Sequence, residues 1–171
     1  MKPSLTDILC TTCGLCCDGT LLADVELASD DEASGLEILG LEVEEGGEGS
    51  PPLLLLPCRA LKGTRCGIYP HRPDCCRRFE CRLLQAARRG TIDTDRALAK
   101  IADARRRMAE VERLLAEVGR SDPRLPLKER CAEALASTEN RRRSDLGGKR
   151  DALEAAMNDL DVFVRETFLD G

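Results

Sequence analysis

The stretch CTTCGLCC, residues 10–17, places four cysteines within eight residues and ends on an adjacent pair. Three kinds of chemistry use sulfur this densely: disulfides, metal or iron–sulfur sites, and redox-active dithiols. The opening MKPSLTDIL has one lysine, an early proline and no apolar run of signal-peptide length. The four leucines of PPLLLLPC are far short of the roughly 20 residues that span a bilayer. The expectation is therefore a cytoplasmic protein with no membrane segment. Ten cysteines in a reducing compartment are poor disulfide material, so metal binding becomes the leading reading.

The other cysteines extend the pattern. Cys58, Cys66, Cys75, Cys76 and Cys81 form a second group, and Cys131 stands alone. Charge is segregated in the same way. Residues 1–57 carry 12 acidic and 1 basic side chains, residues 58–90 carry 2 and 9, and the remainder is nearly balanced. Aromatics make up 2% of the chain and there is no Trp, which favours packed helices of Leu, Ala, Val and Ile. It also argues against base stacking, so nucleic-acid binding is not expected.

Between the two cysteine groups, LLADVEL (21–27) alternates enough to predict a short strand. SDDE (29–32) predicts a capping box with Ser29 as N-cap and Glu32 at N3, opening a helix that Gly40 stops. EEGGEGSPP (44–52) reads as an exposed, flexible loop, LLLL (53–56) as a buried strand, and RCGIYP (65–70) as extended chain. A helix is predicted over 74–89, with Pro73 in its first turn and Gly90 at its end.

Over 94–119, Ala97, Ile101, Ala104, Met108, Val111, Leu115 and Val118 alternate at spacings of four and three, a heptad-like seam. Helices are also predicted over 126–142 and 150–169, the latter with Leu153, Ala156, Leu160, Phe163 and Thr167 inward and Gly147-Gly148 before it. The expected class is α+β, mostly α. A cysteine-cluster domain over 1–90 would be followed by a helical extension over 91–171. That extension either buries its own seams as a three-helix bundle or offers one for self-association or a protein partner.

Thiolates suit Zn²⁺ and iron because soft donors match these metals. The run Cys10-x2-Cys13-x2-Cys16 has the spacing with which bacterial ferredoxins supply three ligands, a distant cysteine giving a fourth. That leans toward an iron–sulfur cluster, although bunched zinc–thiolate sites use similar spacing. Adjacent side chains diverge, so Cys16 and Cys17 point to two centres or to two metals of one larger cluster. Gly14 supplies the backbone freedom for so tight a turn. Cys131, with Leu127 and Leu135 on an apolar helix face, reads as a small core residue. Several arginines lie among the second cysteines. Arg59, Arg72 and Arg77 are candidates to neutralise thiolate charge or donate to sulfur. The only histidine, His71, reads as an exposed loop residue.

CTTCGLCC followed by PCRALKGTRCGIYPHRPDCCRRFEC resembles the CxxCxxCC family of zinc- or iron-chelating domains, the YkgJ-like cysteine-cluster proteins, to which flagellin N-methylase is related. The first motif falls on Cys10, Cys13, Gly14, Cys16 and Cys17. The second falls on Cys58, Leu61, Cys66, Ile68 and Tyr69, and the third on Arg72, Pro73, Cys76, Arg77, Phe79 and Cys81. The match covers about residues 8–85. Glu80 stands where the family commonly has proline.

The resemblance implies metal binding by eight cysteines: Cys10, Cys13, Cys16, Cys17, Cys58, Cys66, Cys76 and Cys81. It makes Cys75 a spare thiol and leaves the metal open. The expected function is thus a metal-binding protein holding an iron–sulfur cluster, structural or redox-active, with zinc as the alternative. A small protein-modifying enzyme similar to flagellin N-methylase and a thiol-based sensor using Cys75 are the other readings. No Gly-rich nucleotide loop, carboxylate pair beside a base, or Cys–His arrangement marks an active site.

Overall fold

The computed structural model describes residues 4–119, 121–137 and 147–169. It contains seven α-helices and five short strands among these residues, a mostly helical α+β fold. The chain divides into two compact units, Met1–Cys81 and Arg82–Gly171.

The first unit opens with α1 (Leu5–Cys13), followed by β1 (Asp24–Glu26), α2 (Asp30–Ile38), β2 (Val43–Glu44) and β3 (Leu53–Leu55). The leucine run forms the middle strand of an antiparallel sheet ordered β1-β3-β2, with Val25 and Val43 both opposite Leu54. Leu27, Ala33, Leu36, Leu41 and Leu54 make a small core beneath it. Helix α2 ends as its glycine predicts. Gly40 takes φ +80°, and the Gly40 and Leu41 N–H groups donate to the carbonyls of Glu37 and Leu36.

A hairpin of β4 (Leu61–Lys62) and β5 (Arg65–Cys66) comes next, turning on Gly63 at φ +62°. A 3₁₀ turn over Tyr69–His71 and the short helix α3 (Asp74–Arg78) complete the unit. RCGIYP is therefore extended only through its first residues before it coils into the 3₁₀ turn.

The helix expected over 74–89 is broken. After α3, Phe79 turns extended (φ −65°, ψ 126°), and α4 (Arg82–Arg88) starts afresh in the second unit. Cys76 and Cys81 on one continuous helix would lie about 140° apart around its axis. The break frees Cys81 from that constraint. Gly90 stops α4 as expected, with the Gly90 and Thr91 N–H groups bonded to Ala87 and Ala86.

The second unit packs α4 with α5 (Thr94–Val118), α6 (Leu127–Ala136) and α7 (Gly147–Phe168). All seven seam residues of α5, from Ala97 to Val118, are buried within this bundle. Helix α6 ends at Ala136, because Ser137 is already extended at ψ 122°. The rest of the helix expected to 142 lies outside the described residues. Gly147 and Gly148, expected before the helix, lie within α7.

The inward face of α7 also shifts. Leu153 and Leu160 are buried as expected, but Val164 and Phe168 replace Phe163 and Thr167. Steps of four from Leu160 hold the residues on the buried stripe of a 3.6-residue helix. Phe163 is left at its edge, between the Arg107 guanidinium at 4.6 Å and Lys100 Nζ at 5.5 Å. No described helix is long and apolar enough to cross a membrane.

Candidate metal centre

The cysteine cluster starts on the last turns of α1. Ser4 caps α1 by accepting from the Asp7 N–H, and Asp7 Oδ2 accepts in return from the Ser4 N–H and hydroxyl. Cys10 and Cys13, three residues apart, share one face of the last turns. Gly14 then adopts φ 69° and hands its N–H to Cys10 O, ending the helix. The next turn closes when the Cys17 and Asp18 N–H groups donate to Gly14 O. Leu15, between the two cysteine pairs, is fully buried and anchors this turn.

The second group is brought to the first by backbone bonds. The Cys58 N–H donates to Cys17 O at 2.7 Å, joining the two motifs directly. The β4–β5 hairpin then returns Cys66 toward Cys58. The Leu61 N–H bonds Cys58 O, and the Gly67 N–H bonds Ala60 O at 2.7 Å. A side chain at Gly67 would place its Cβ 2.8 Å from the Ala60 oxygen, so this approach requires glycine. Cys58, Ala60, Ile68 and Cys75 all rest against the leucine core of the insert. The insert is thus the floor on which the second motif is built.

The thiols act on one another, with overlapping sets around Cys16 and Cys17. Burial, then the nearby Cys13, Cys81, Cys17 and Cys10, push the Cys16 thiol upward. Burial, then Cys58 and Cys66 first among its charged neighbours, raise Cys17 to about 12. Cys58 is raised by burial and by Cys66. Cys76 is raised by its hydrogen bond with Cys75, by burial, and by Cys75, Cys17 and Cys58. All ten cysteines are free thiols. Among the described residues, no three Cys, His, Asp or Glu side chains converge on one metal position.

The donor chemistry fits a soft cation. Partly buried thiols that repel one another's ionisation stay protonated until a metal ion supplies compensating positive charge.

The arginines have other partners. Arg59 pairs with Glu42 at 3.1 Å. The Arg72 guanidinium lies over the Tyr69 ring at 3.6 Å, and its Nε donates to Tyr69 O. Arg77 donates to the carbonyls of Arg72 and Pro70 at 2.8 and 2.9 Å. These bonds brace the 3₁₀ turn before α3. His71 is exposed.

Sequence reasoning missed the residues that join the pieces. Tyr69 Oη donates to Asp7 Oδ1 at 2.5 Å, and the Thr64 hydroxyl donates to Thr11 O at 2.6 Å. Glu32 does not complete the expected capping box. Ser29 does accept from the Glu32 N–H, but the carboxylate accepts from the Ala28 N–H and, across 42 residues, from the Asp74 N–H at 2.9 Å. It therefore caps α3, the helix that carries Cys75 and Cys76. No local pattern encodes bonds between residues so far apart in the chain.

A small, loop-rich unit with its cysteines gathered between two motifs, followed by a helical bundle, defines a cysteine-cluster metal-chelating class. Residues 9–100 match the CxxCxxCC family, described as a "Putative zinc- or iron-chelating domain", and the chain belongs to that family. The match runs past the cysteines into α5. No curated protein and no solved structure matches the chain.

Proposed function

We propose that the chain binds metal through eight cysteines arranged as two four-thiolate sites, one of Cys10, Cys13, Cys16 and Cys81, the other of Cys17, Cys58, Cys66 and Cys76. The observation that carries this reading is the divergence of the adjacent Cys16 and Cys17. Cys13 and Cys81 stand first among the thiols that act on Cys16, and Cys58 and Cys66 first among those that act on Cys17.

The first set has the C-x2-C-x2-C spacing plus one remote cysteine that ferredoxins use, and this favours iron–sulfur clusters over zinc. Such clusters supply electron transfer or a rigid cross-link between chain segments. The chain's own part is to hold thiolates in a half-buried setting with backbone amides close by. Any protein partner or self-association would use surfaces other than the α5 seam, which is buried in its own bundle.

Protein purified without oxygen should be brown and contain iron and acid-labile sulfide in comparable amounts. Colourless protein with stoichiometric zinc and no iron would replace the clusters with zinc–thiolate sites. Protein with no bound metal, and none taken up on reconstitution, would overturn the reading altogether.

A further inference from the structure

The two halves of the candidate site are separated by the 40 residues between Cys17 and Cys58, so each must be held against the other at an entropic cost. Two backbone acceptors help: Cys17 O takes the Cys58 N–H and Thr11 O takes the Thr64 hydroxyl. The third link is a side-chain pair. Tyr69, at the end of the hairpin motif, donates to Asp7 on α1 at 2.5 Å. Both partners are themselves fixed. Asp7 Oδ2 is occupied by the Ser4 N–H and hydroxyl at 3.1 and 2.7 Å. The Tyr69 ring is covered by Arg72 at 3.6 Å, which also bonds Tyr69 O. A short bond from a hydroxyl to a carboxylate is among the stronger neutral-to-charged contacts available to a protein. Asp7 stands one helical turn before Cys10, and Tyr69 three residues after Cys66, so the bond joins segments carrying ligands of both proposed sites.

We propose that Tyr69 and Asp7 form a latch that positions the two halves of the cysteine site against each other and so slows the loss of bound metal. Neither residue is a ligand; both act through the thiols they hold in place. The inference rests on the eight-cysteine reading above.

The test uses the full chain loaded with Zn²⁺ alone and follows its transfer to a chromogenic chelator. Tyr69→Phe and Asp7→Ala should each bind as much zinc as the wild type and release it about tenfold faster or more. The double variant should release it no faster than the quicker single one, because both changes break the same bond. Ile101→Ala, which removes core volume from the helical unit and leaves the cysteine unit untouched, controls for general loosening. It should lower the melting temperature at least as much as Tyr69→Phe while speeding release less.

Release from Tyr69→Phe at the wild-type rate would overturn the latch and leave the metal site standing. So would additive effects in the double variant, or equal acceleration by Ile101→Ala. A wild-type chain that takes up no zinc and no other metal would overturn the site and the latch together.

Discussion

Cys75 and Cys76 share a backbone step but not a neighbourhood. Cys75 packs against the leucine core of the insert, whereas the thiols acting on Cys76 include Cys17 and Cys58. In the metal-free chain the hydrogen bond between them lowers the Cys75 thiol and raises that of Cys76. Proton affinity alone would thus favour Cys75 as the thiolate, and placement favours Cys76 as the ligand. A metal ion decides such a contest by position, since it displaces the proton from whichever sulfur reaches it. Cys76→Ser should therefore lose metal from one site while Cys75→Ser retains the full complement, as read by metal analysis after gel filtration. Equal loss from both would show that the ligand register is wrong by one residue.

Elements of the two units draw their stability from different sources. The α5 seam repeats without interruption, and Ile101 on it is 2% exposed, while Val162 on α7 is 50% exposed. Ile101→Ala should destabilise the helical unit by about 2–4 kcal/mol, whereas Val162→Ala should change it by less than about 0.5 kcal/mol. Chemical denaturation followed by helical circular dichroism would separate the two. Helices α1 and α3 have 9 and 5 residues, too few to be stable alone. Caps hold their ends: Ser4 and Asp7 on α1, and the Glu32 carboxylate from α2 on α3. The run 74–89, regular enough to predict one helix, is two. Local pattern continues the helix, but Phe79 turns extended and ends α3 before α4 begins.

For the whole molecule, the gathered thiols tie stability to pH with opposite signs in the two metal states. Cys17 is raised to about 12, and Cys16 and Cys58 are also raised, mainly by burial. An unfolded thiol ionises near 8.5–9. A folded-state pKa above the unfolded one stabilises fully below the unfolded value and loses that contribution as pH rises toward the folded value. Metal-free protein kept reduced should therefore melt at progressively lower temperature from about pH 9 toward pH 12. Metal-loaded protein should instead tighten its hold as pH rises from 6 to 8, because binding expels thiol protons. Melting temperatures with and without chelator, taken across both ranges, would check both slopes.

The sequence by itself determined the chemistry and the periodic parts. Nine of the ten cysteines in two clusters, Gly14 at a left-handed turn, the leucine strand, Gly40 and Gly90 as helix stops, and the α5 seam are all local signals, set by residue type and spacing. Only the tertiary structure decided which thiols act on one another, and that Arg59, Arg72 and Arg77 bond Glu42, Tyr69 and two backbone carbonyls. It alone placed Tyr69 on Asp7 and Glu32 on Asp74. The reason is physical. A spacing rule acts over a turn or two of chain, whereas bonds that span 42 or 62 residues exist only once the insert has folded and closed the loop between them.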